Sequence, residues 1–160
     1  MIAEIVTGRD VMAELTRHRL NSFSIRSQRY VDECKTGDIA FCVPHFERYG
    51  EEKAHILYSL WKEDCLACEE SYKYLKEAGA INEDARKVLI NSTATQIIMS
   101  GNLRSWRHVF QLRTAKDVYP ECRIVMCELL EKAKAMYPTV FDDIIPDAAE
   151  ENEDGNSKES

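Results

Sequence analysis

The chain has 160 residues and a formal net charge of −7, with 44% hydrophobic and 31% charged residues. This length and composition predict a single globular domain with its own buried core. There is no run of eighteen apolar residues, which excludes a membrane-spanning helix, and the start "MIAEIVTGRD" does not have the pattern of a secretory signal.

The charge is unevenly distributed along the chain. The segment 147–160 carries six acids and one lysine, so residues 1–146 have a net charge of only −2. We therefore predict a folded domain over residues 1–146 and a disordered acidic tail over 147–160. Two basic clusters, in residues 9–29 and 101–116, favour a compact anionic ligand over a nucleic acid, which usually requires a larger basic surface.

The first third of the chain predicts one helix and two extended segments. Asp10 is a candidate N-cap for a short helix through Arg19, with Val11 and Leu15 on its apolar side. The serine-rich run "NSFSIRSQRY" alternates and predicts an extended loop or irregular strand. The segment "DIAFCVPHF" predicts a short strand that ends at Pro44, because proline cannot donate to a β-ladder.

The rest of the chain predicts mostly helices. A long amphipathic helix is expected over residues 51–78 and ends at Gly79. A short helix capped by Asn82 and a β-branched strand, "TATQIIMS", follow it. Asn102 is then expected to cap a helix through about Leu112, and Pro120 to begin a last helix through about Met136.

The most unusual stretch is "RHRLNSFSIRSQRY", residues 17–30. Guanidinium groups match phosphate and carboxylate oxygens, and serine hydroxyls can complete such a cradle. The alternative interpretation is a solvated helix end whose arginines are favoured by the helix dipole.

Two other groupings have simpler structural explanations. In "NLRSWRHVFQLRTAK", Arg104 and His108 share one helix face, but a histidine beside aromatics is usually structural. Cys65 and Cys68 form the one CxxC pair, which lies within the long helix and lacks a second ligand pair for zinc. We therefore predict reduced cysteines, buried structural thiols at this pair, no metal site and a cytoplasmic location.

No Gly-rich phosphate loop, GxSxG motif or paired-carboxylate motif is present. Catalysis by this chain would therefore depend on a cofactor and on bound charge.

Taken together, these segments resemble the flavin-dependent thymidylate synthases. The signature of that family is RHR, seven residues, serine, and a following Arg-Tyr, which stand here as 17–19, Ser27 and 29–30. The stretches "DARKVLINSTATQIIMSGNLRSWRHVFQLRT", "YPECRIVMCELLEKAKAMYP" and "VFDDI" agree in order and approximate spacing. The similarity runs from about Ile5 to Ile145.

The resemblance implies an α+β protomer of a homotetramer, mostly helical in this chain with a small antiparallel sheet, whose sites form between subunits. It implies an enzyme that reductively methylates dUMP to dTMP for dTMP biosynthesis. NADPH and 5,10-methylenetetrahydrofolate would be co-substrates and FAD the cofactor. Neither a membrane nor a nucleic acid is implied as a partner.

The resemblance also implies roles for individual residues. Arg113 would stabilise the ionised uracil, an electrostatic role suited to a guanidinium. The residues implied to contact FAD are Arg17, His18, Arg19, Asn102, Leu103, Arg104 and His108. The residues implied to contact dUMP are Glu14, Arg17, Ser27, Gln28, Arg29, Arg86 and Arg113.

Two departures from the family pattern bear on activity. Ile25 stands where relatives often carry Glu or Gln, and the chain lacks the N-terminal segment that relatives have before the equivalent of Val6. The leading hypothesis is a flavin-dependent thymidylate synthase or its larger C-terminal part. The alternatives are a catalytically silent flavin- and nucleotide-binding module that assembles with a complete subunit, and an unrelated helical protein that binds phosphate generically.

Overall fold

The computed structural model of the protein describes residues 1–35 and 37–147. The described residues form an α+β fold with a three-stranded antiparallel sheet, which confirms the predicted fold class. The strands are β1 (Ile2–Gly8), β2 (Ser22–Ile25) and β3 (Ala94–Ser100). The helices are α1 (Arg9–Leu15), α2 (Glu51–Glu77), α3 (Asn82–Ala85), α4 (Leu103–Arg113), α5 (Pro120–Met136) and α6 (Pro138–Phe141), with 3₁₀ turns at Phe46–Tyr49 and Arg86–Val88.

The chain divides into two compact units, Met1–Asn102 and a second that begins at Leu103. In the first unit, β3 is the central strand of the order β1-β3-β2, and Ile97 pairs with Ile5 on one side and Ile25 on the other. Side chains alternate between the two faces of the sheet. Ile5 and Ile97 are buried, whereas Ile2 and Val6 are exposed.

Helix α2 agrees closely with its predicted bounds. It runs for 27 residues without Pro or Gly, and Gly79 follows it with φ = +92°, a conformation that favours glycine. Its buried side chains are Cys65, Cys68, Glu69 and Tyr72, and Tyr72 packs in a cluster with Ile39 and Ala85. The apolar residues of its first half are mostly exposed, including Ile56 and Leu60.

The second unit is helical in its described part. Its core contains a chain of aromatic contacts, with ring centroids 5.5 Å apart for Trp106 and Phe110 and 5.4 Å apart for Phe110 and Phe141. Pro120 and Pro138 stand at the first turns of α5 and α6, where their missing N–H groups cost nothing.

Several local predictions need correction. Helix α1 ends at Leu15, because the chain must reverse over residues 16–21 to bring β2 beside β3. Asp10 lies inside its first turn, where its Oδ1 accepts from the Val11 N–H at 2.8 Å. Gly8 occupies the N-cap position instead.

The predicted strand before Pro44 is wrong. Residues 38–46 form no strand. One isolated antiparallel bridge joins Phe41 to Thr93, and a backbone hydrogen bond lies on each side of it. Asn82 is the first residue of α3 and not its cap, because its Oδ1 accepts a hydrogen bond from Lys76 Nζ at 2.6 Å. The predicted acidic tail lies outside the described residues except for Asp147.

Candidate functional site

The RHR motif lies in a turn between α1 and β2. The His18 N–H donates to Leu15 O at 3.1 Å, and the Asn21 N–H donates to His18 O at 3.0 Å. Arg17 and Arg19 are exposed, and in residues 1–35 and 37–147 neither forms an ion pair with a carboxylate. Two exposed guanidinium groups in one turn suit an anionic ligand, because their N–H groups match phosphate and carboxylate oxygens.

Ser27 begins a second turn directly after β2. The N–H groups of Tyr30 and Val31 donate to Ser27 O at 3.3 and 3.0 Å, and the Arg29 N–H donates to Ser27 Oγ at 3.3 Å. Gln28 is buried, with 5% of its surface exposed. The amides of Arg29, Tyr30 and Val31 are thus used within this tight turn, which fixes the position of the Ser27 side chain.

An ion pair ties this loop to α3. Arg29 Nε donates to Glu83 Oε2 at 2.8 Å, and the Arg29 guanidinium lies 5.4 Å from the centroid of the Tyr30 ring. Glu83 lies three residues before Arg86, so the fold holds the Ser27 turn close to the segment that carries Arg86. An exposed pair of this kind contributes at most about 1 kcal/mol, so a phosphate can compete with Glu83 for Arg29.

The structure adds a buried charge cluster to this region. Glu33 is only 7% exposed, and its Oε2 lies 2.9 Å from Arg26 Nη2. Burial raises the pKa of Glu33 above its ordinary value, and the charges of Arg26 and Arg9 oppose that rise. The sequence analysis missed this pair because Arg26 and Glu33 lie seven residues apart in a loop, where no helical or strand periodicity links them.

Arg9 is the other residue that sequence reasoning missed. It begins α1, and its pKa is lowered by burial and by the charge of Arg86, against the opposing influence of Glu33. In the sequence, Arg9 stood out only as a member of the basic cluster in residues 9–29.

Helix α4 carries the remaining predicted site residues within the second unit. Arg104 and His108 are exposed on one face and Arg113 is half-buried at the end, while Trp106 and Phe110 fill the core from the opposite face. Leu103 is the first residue of α4, and Asn102 directly precedes it. Arg107 has a structural role, because both of its terminal nitrogens bond Asp143 carboxylate oxygens at 2.6 Å.

The CxxC pair is structural. Cys65 and Cys68 are both buried in α2, and burial raises the pKa of Cys65 to about 11. Cys68 Sγ donates to Val88 O at 3.1 Å. Both thiols are therefore protonated at neutral pH and are poor metal ligands or nucleophiles.

All six cysteines are free. Within the described ranges, no group of three or more His, Cys, Asp or Glu side chains is arranged to hold a metal ion. The described helices likewise include none that is long and apolar enough to cross a bilayer.

This α+β chain therefore presents an exposed arginine turn, a serine turn and a basic helix face, whose groups suit anionic ligands. Comparison with known proteins identifies the family. The family model described as "Thymidylate synthase complementing protein" matches residues 1–139, and the chain belongs to this family.

Three relatives illustrate the similarity, each named a flavin-dependent thymidylate synthase. The Geobacter sulfurreducens protein is 35% identical over 133 residues, which cover 83% of this chain and 55% of the relative. The Corynebacterium efficiens protein is 33% identical over 147 residues, covering 85% and 58%. The Haloarcula marismortui protein is 32% identical, covering 84% and 62%. The chain thus spans somewhat over half the length of these curated relatives.

Proposed function

We propose that the protein acts in flavin-dependent thymidylate synthesis, the reductive methylation of dUMP to dTMP. The observation that carries this proposal is the family match through residues 1–139, which includes the complete RHR and serine turns. The exposed guanidinium groups of Arg17 and Arg19 support an anionic cofactor. The names of the relatives point to a flavin. We propose FAD as that flavin, with methylenetetrahydrofolate as the carbon donor and NADPH as the reductant.

The residues of this chain would bind and polarise the ligands. Arg17, His18 and Arg19 would hold FAD from the turn after α1, together with Asn102, Leu103, Arg104 and His108 around the start of α4. Bound flavin, when reduced, supplies a hydride, which explains why the chain needs no nucleophile motif of its own.

The nucleotide would be held mainly by polar turns. Ser27, Gln28 and Arg29 would contact dUMP together with Glu14, Arg17 and Arg86. Arg113 would stabilise negative charge on the uracil, since a guanidinium keeps its own charge throughout the reaction. Ser27 would bind the ligand as a hydrogen-bonding group and not as a covalent nucleophile.

We further propose that the chain works as a homotetramer in the cytoplasm. Free thiols throughout suit a reducing compartment. Exposed apolar side chains on α2, such as Ile56 and Leu60, suit contact with another subunit.

A visible absorption spectrum of the purified protein tests the proposal. Oxidised flavin bands that bleach with NADPH, followed by dTMP formation from dUMP and methylenetetrahydrofolate, would support the synthase. Flavin bands without turnover would instead support the alternative, a flavin- and nucleotide-binding chain that acts only beside a complete subunit. A colourless protein that FAD does not reconstitute would overturn both.

A pair of variants tests the division of roles. We expect Arg113→Ala to abolish turnover while flavin stays bound, and Arg19→Ala to reduce flavin retention measured after gel filtration. Lys132→Ala, which removes an exposed cation on α5, is the matched control and should change neither. Equal loss of flavin from the Arg113 and Arg19 variants would show that the assigned roles are wrong.

A further inference from the structure

Arg9 occupies a fixed position at the start of α1. Its backbone N–H donates to Asn91 O at 2.9 Å, so the residue is anchored against the loop that follows the Arg86–Val88 turn. A Cβ on the preceding Gly8 would lie 3.4 Å from Asn91 O and 2.3 Å from Asp10 Oδ1, so a side chain there would displace Asp10. The backbone hydrogen bond between Arg9 and Asn91 therefore fixes the position of Arg9 relative to this loop.

The guanidinium of Arg9 is incompletely satisfied. Its Nη1 atom is buried and has no hydrogen-bond acceptor within residues 1–35 and 37–147. A buried charged donor without an acceptor is costly, and native structures usually provide one from protein, water or ligand. The Arg26 Nε atom nearby in the loop is in the same state.

The charges around Arg9 do not balance. Arg86 acts on Arg9 as a like charge and Glu33 as an opposite charge. Glu33 already pairs with Arg26 at 2.9 Å. Asp32 also acts on Glu33, so three arginines and two carboxylates leave one net positive charge, opposite in sign to the charge of a phosphate group.

We propose that Arg9 acts beside Arg86 as a further arginine that binds the phosphate group of the nucleotide. Guanidinium forks match phosphate oxygens in paired hydrogen bonds, and the buried Nη1 of Arg9 would gain the acceptor that it lacks. This inference rests on the proposed function and adds to it a binding residue outside the RHR and serine turns.

Calorimetric titration of the flavin-loaded protein with dUMP and with deoxyuridine tests the role of Arg9. We expect Arg9→Gln to weaken dUMP binding about 10- to 100-fold, as for loss of a charge-assisted hydrogen bond, and to leave deoxyuridine binding unchanged. Arg9→Lys should fall between, because lysine keeps the charge without the fork. Arg48→Gln is the matched control and should leave dUMP binding unchanged. It makes the same substitution at an arginine that packs on the Tyr49 ring, 4.9 Å from its centroid.

Inorganic phosphate gives a second readout that needs no turnover. Phosphate should raise the melting temperature of the wild type more than that of Arg9→Gln, provided that both show the same circular dichroism. Unchanged dUMP affinity in the variant, or equal loss of dUMP and deoxyuridine, would overturn the inference. If the wild type still forms dTMP in that case, the proposed function stands without a role for Arg9 in binding phosphate.

Discussion

The ion pair between Arg26 and Glu33 places a carboxylate in the interior of the first unit. Taking both charges out of water is costly, and their attraction recovers that cost only with good geometry. The 2.9 Å contact provides such geometry, yet burial still raises the pKa of Glu33. The folded protein therefore favours the protonated form of Glu33 more than the unfolded chain does.

This difference predicts a pH dependence of stability that Glu33→Gln removes. The unfolded chain releases the Glu33 proton near the ordinary pKa of 4.5, while the folded protein releases it at higher pH. The contribution of Glu33 to the free energy of unfolding therefore falls as pH rises through that interval. Urea unfolding between pH 4 and 8 should show the wild type losing stability relative to the variant over this window.

The test uses the difference in the free energy of unfolding between the wild type and the variant, because the other carboxylates titrate in both proteins. The glutamine side chain does not titrate, so any pH-independent effect of the substitution shifts the stability curve of the variant without changing its slope. Parallel curves for the two proteins, or a steeper fall for the variant, would contradict the prediction.

Helix α2 shows how one element serves both the core and the surface. Tyr72 is fully buried, and its hydroxyl accepts from the Glu33 N–H and donates to Asp32 Oδ1, both at 3.3 Å. Tyr74, two residues later, is 61% exposed and donates to Glu70 Oε1 at 2.9 Å. The same chemical group therefore has two very different surroundings within one turn.

We expect Tyr72→Phe to lower the free energy of unfolding by about 1–3 kcal/mol, because the buried Glu33 N–H loses its acceptor. Tyr74→Phe is the matched control and should stay within about 0.5 kcal/mol of the wild type. Urea unfolding monitored by circular dichroism measures both. Equal effects would mean that the Tyr72 hydroxyl does not stabilise the loop.

The molecule as a whole exposes apolar residues that its own described fold does not cover. Ile56 and Leu60 are 54% and 57% exposed at adjacent positions on the same face of α2. The proposed homotetramer provides a reason for this exposure.

Light scattering after gel filtration tests the role of this face. We expect a wild-type mass near four chains, and we expect Leu60→Glu to shift it toward smaller species because a carboxylate would be buried without a partner. Lys62→Glu, an exposed change on the same helix, should leave the mass unaltered. A monomeric wild type at all concentrations would rule out the assembly.

Strong local signals were enough to predict much of this fold. Pro120 and Gly79 mark helix ends through missing N–H groups and positive φ, and the β-branched run 94–100 forms β3 as expected. The RHR motif and its serine likewise identified the family, which the comparisons confirm. These features depend on residue type and short spacing, so the sequence is enough to predict them.

Other features depend on contacts between distant parts of the chain. Helix α1 stops at Leu15 because β2 must return to β3, and residues 38–46 form only one bridge because their partner segment is a turn. Arg9 and Asn91 meet across 82 positions, and Glu33 reaches Arg26 inside a folded loop. Burial and pairing of charge arise only when such segments pack together, so the tertiary structure alone decided which guanidinium nitrogens have acceptors and which, such as Arg9 Nη1, do not.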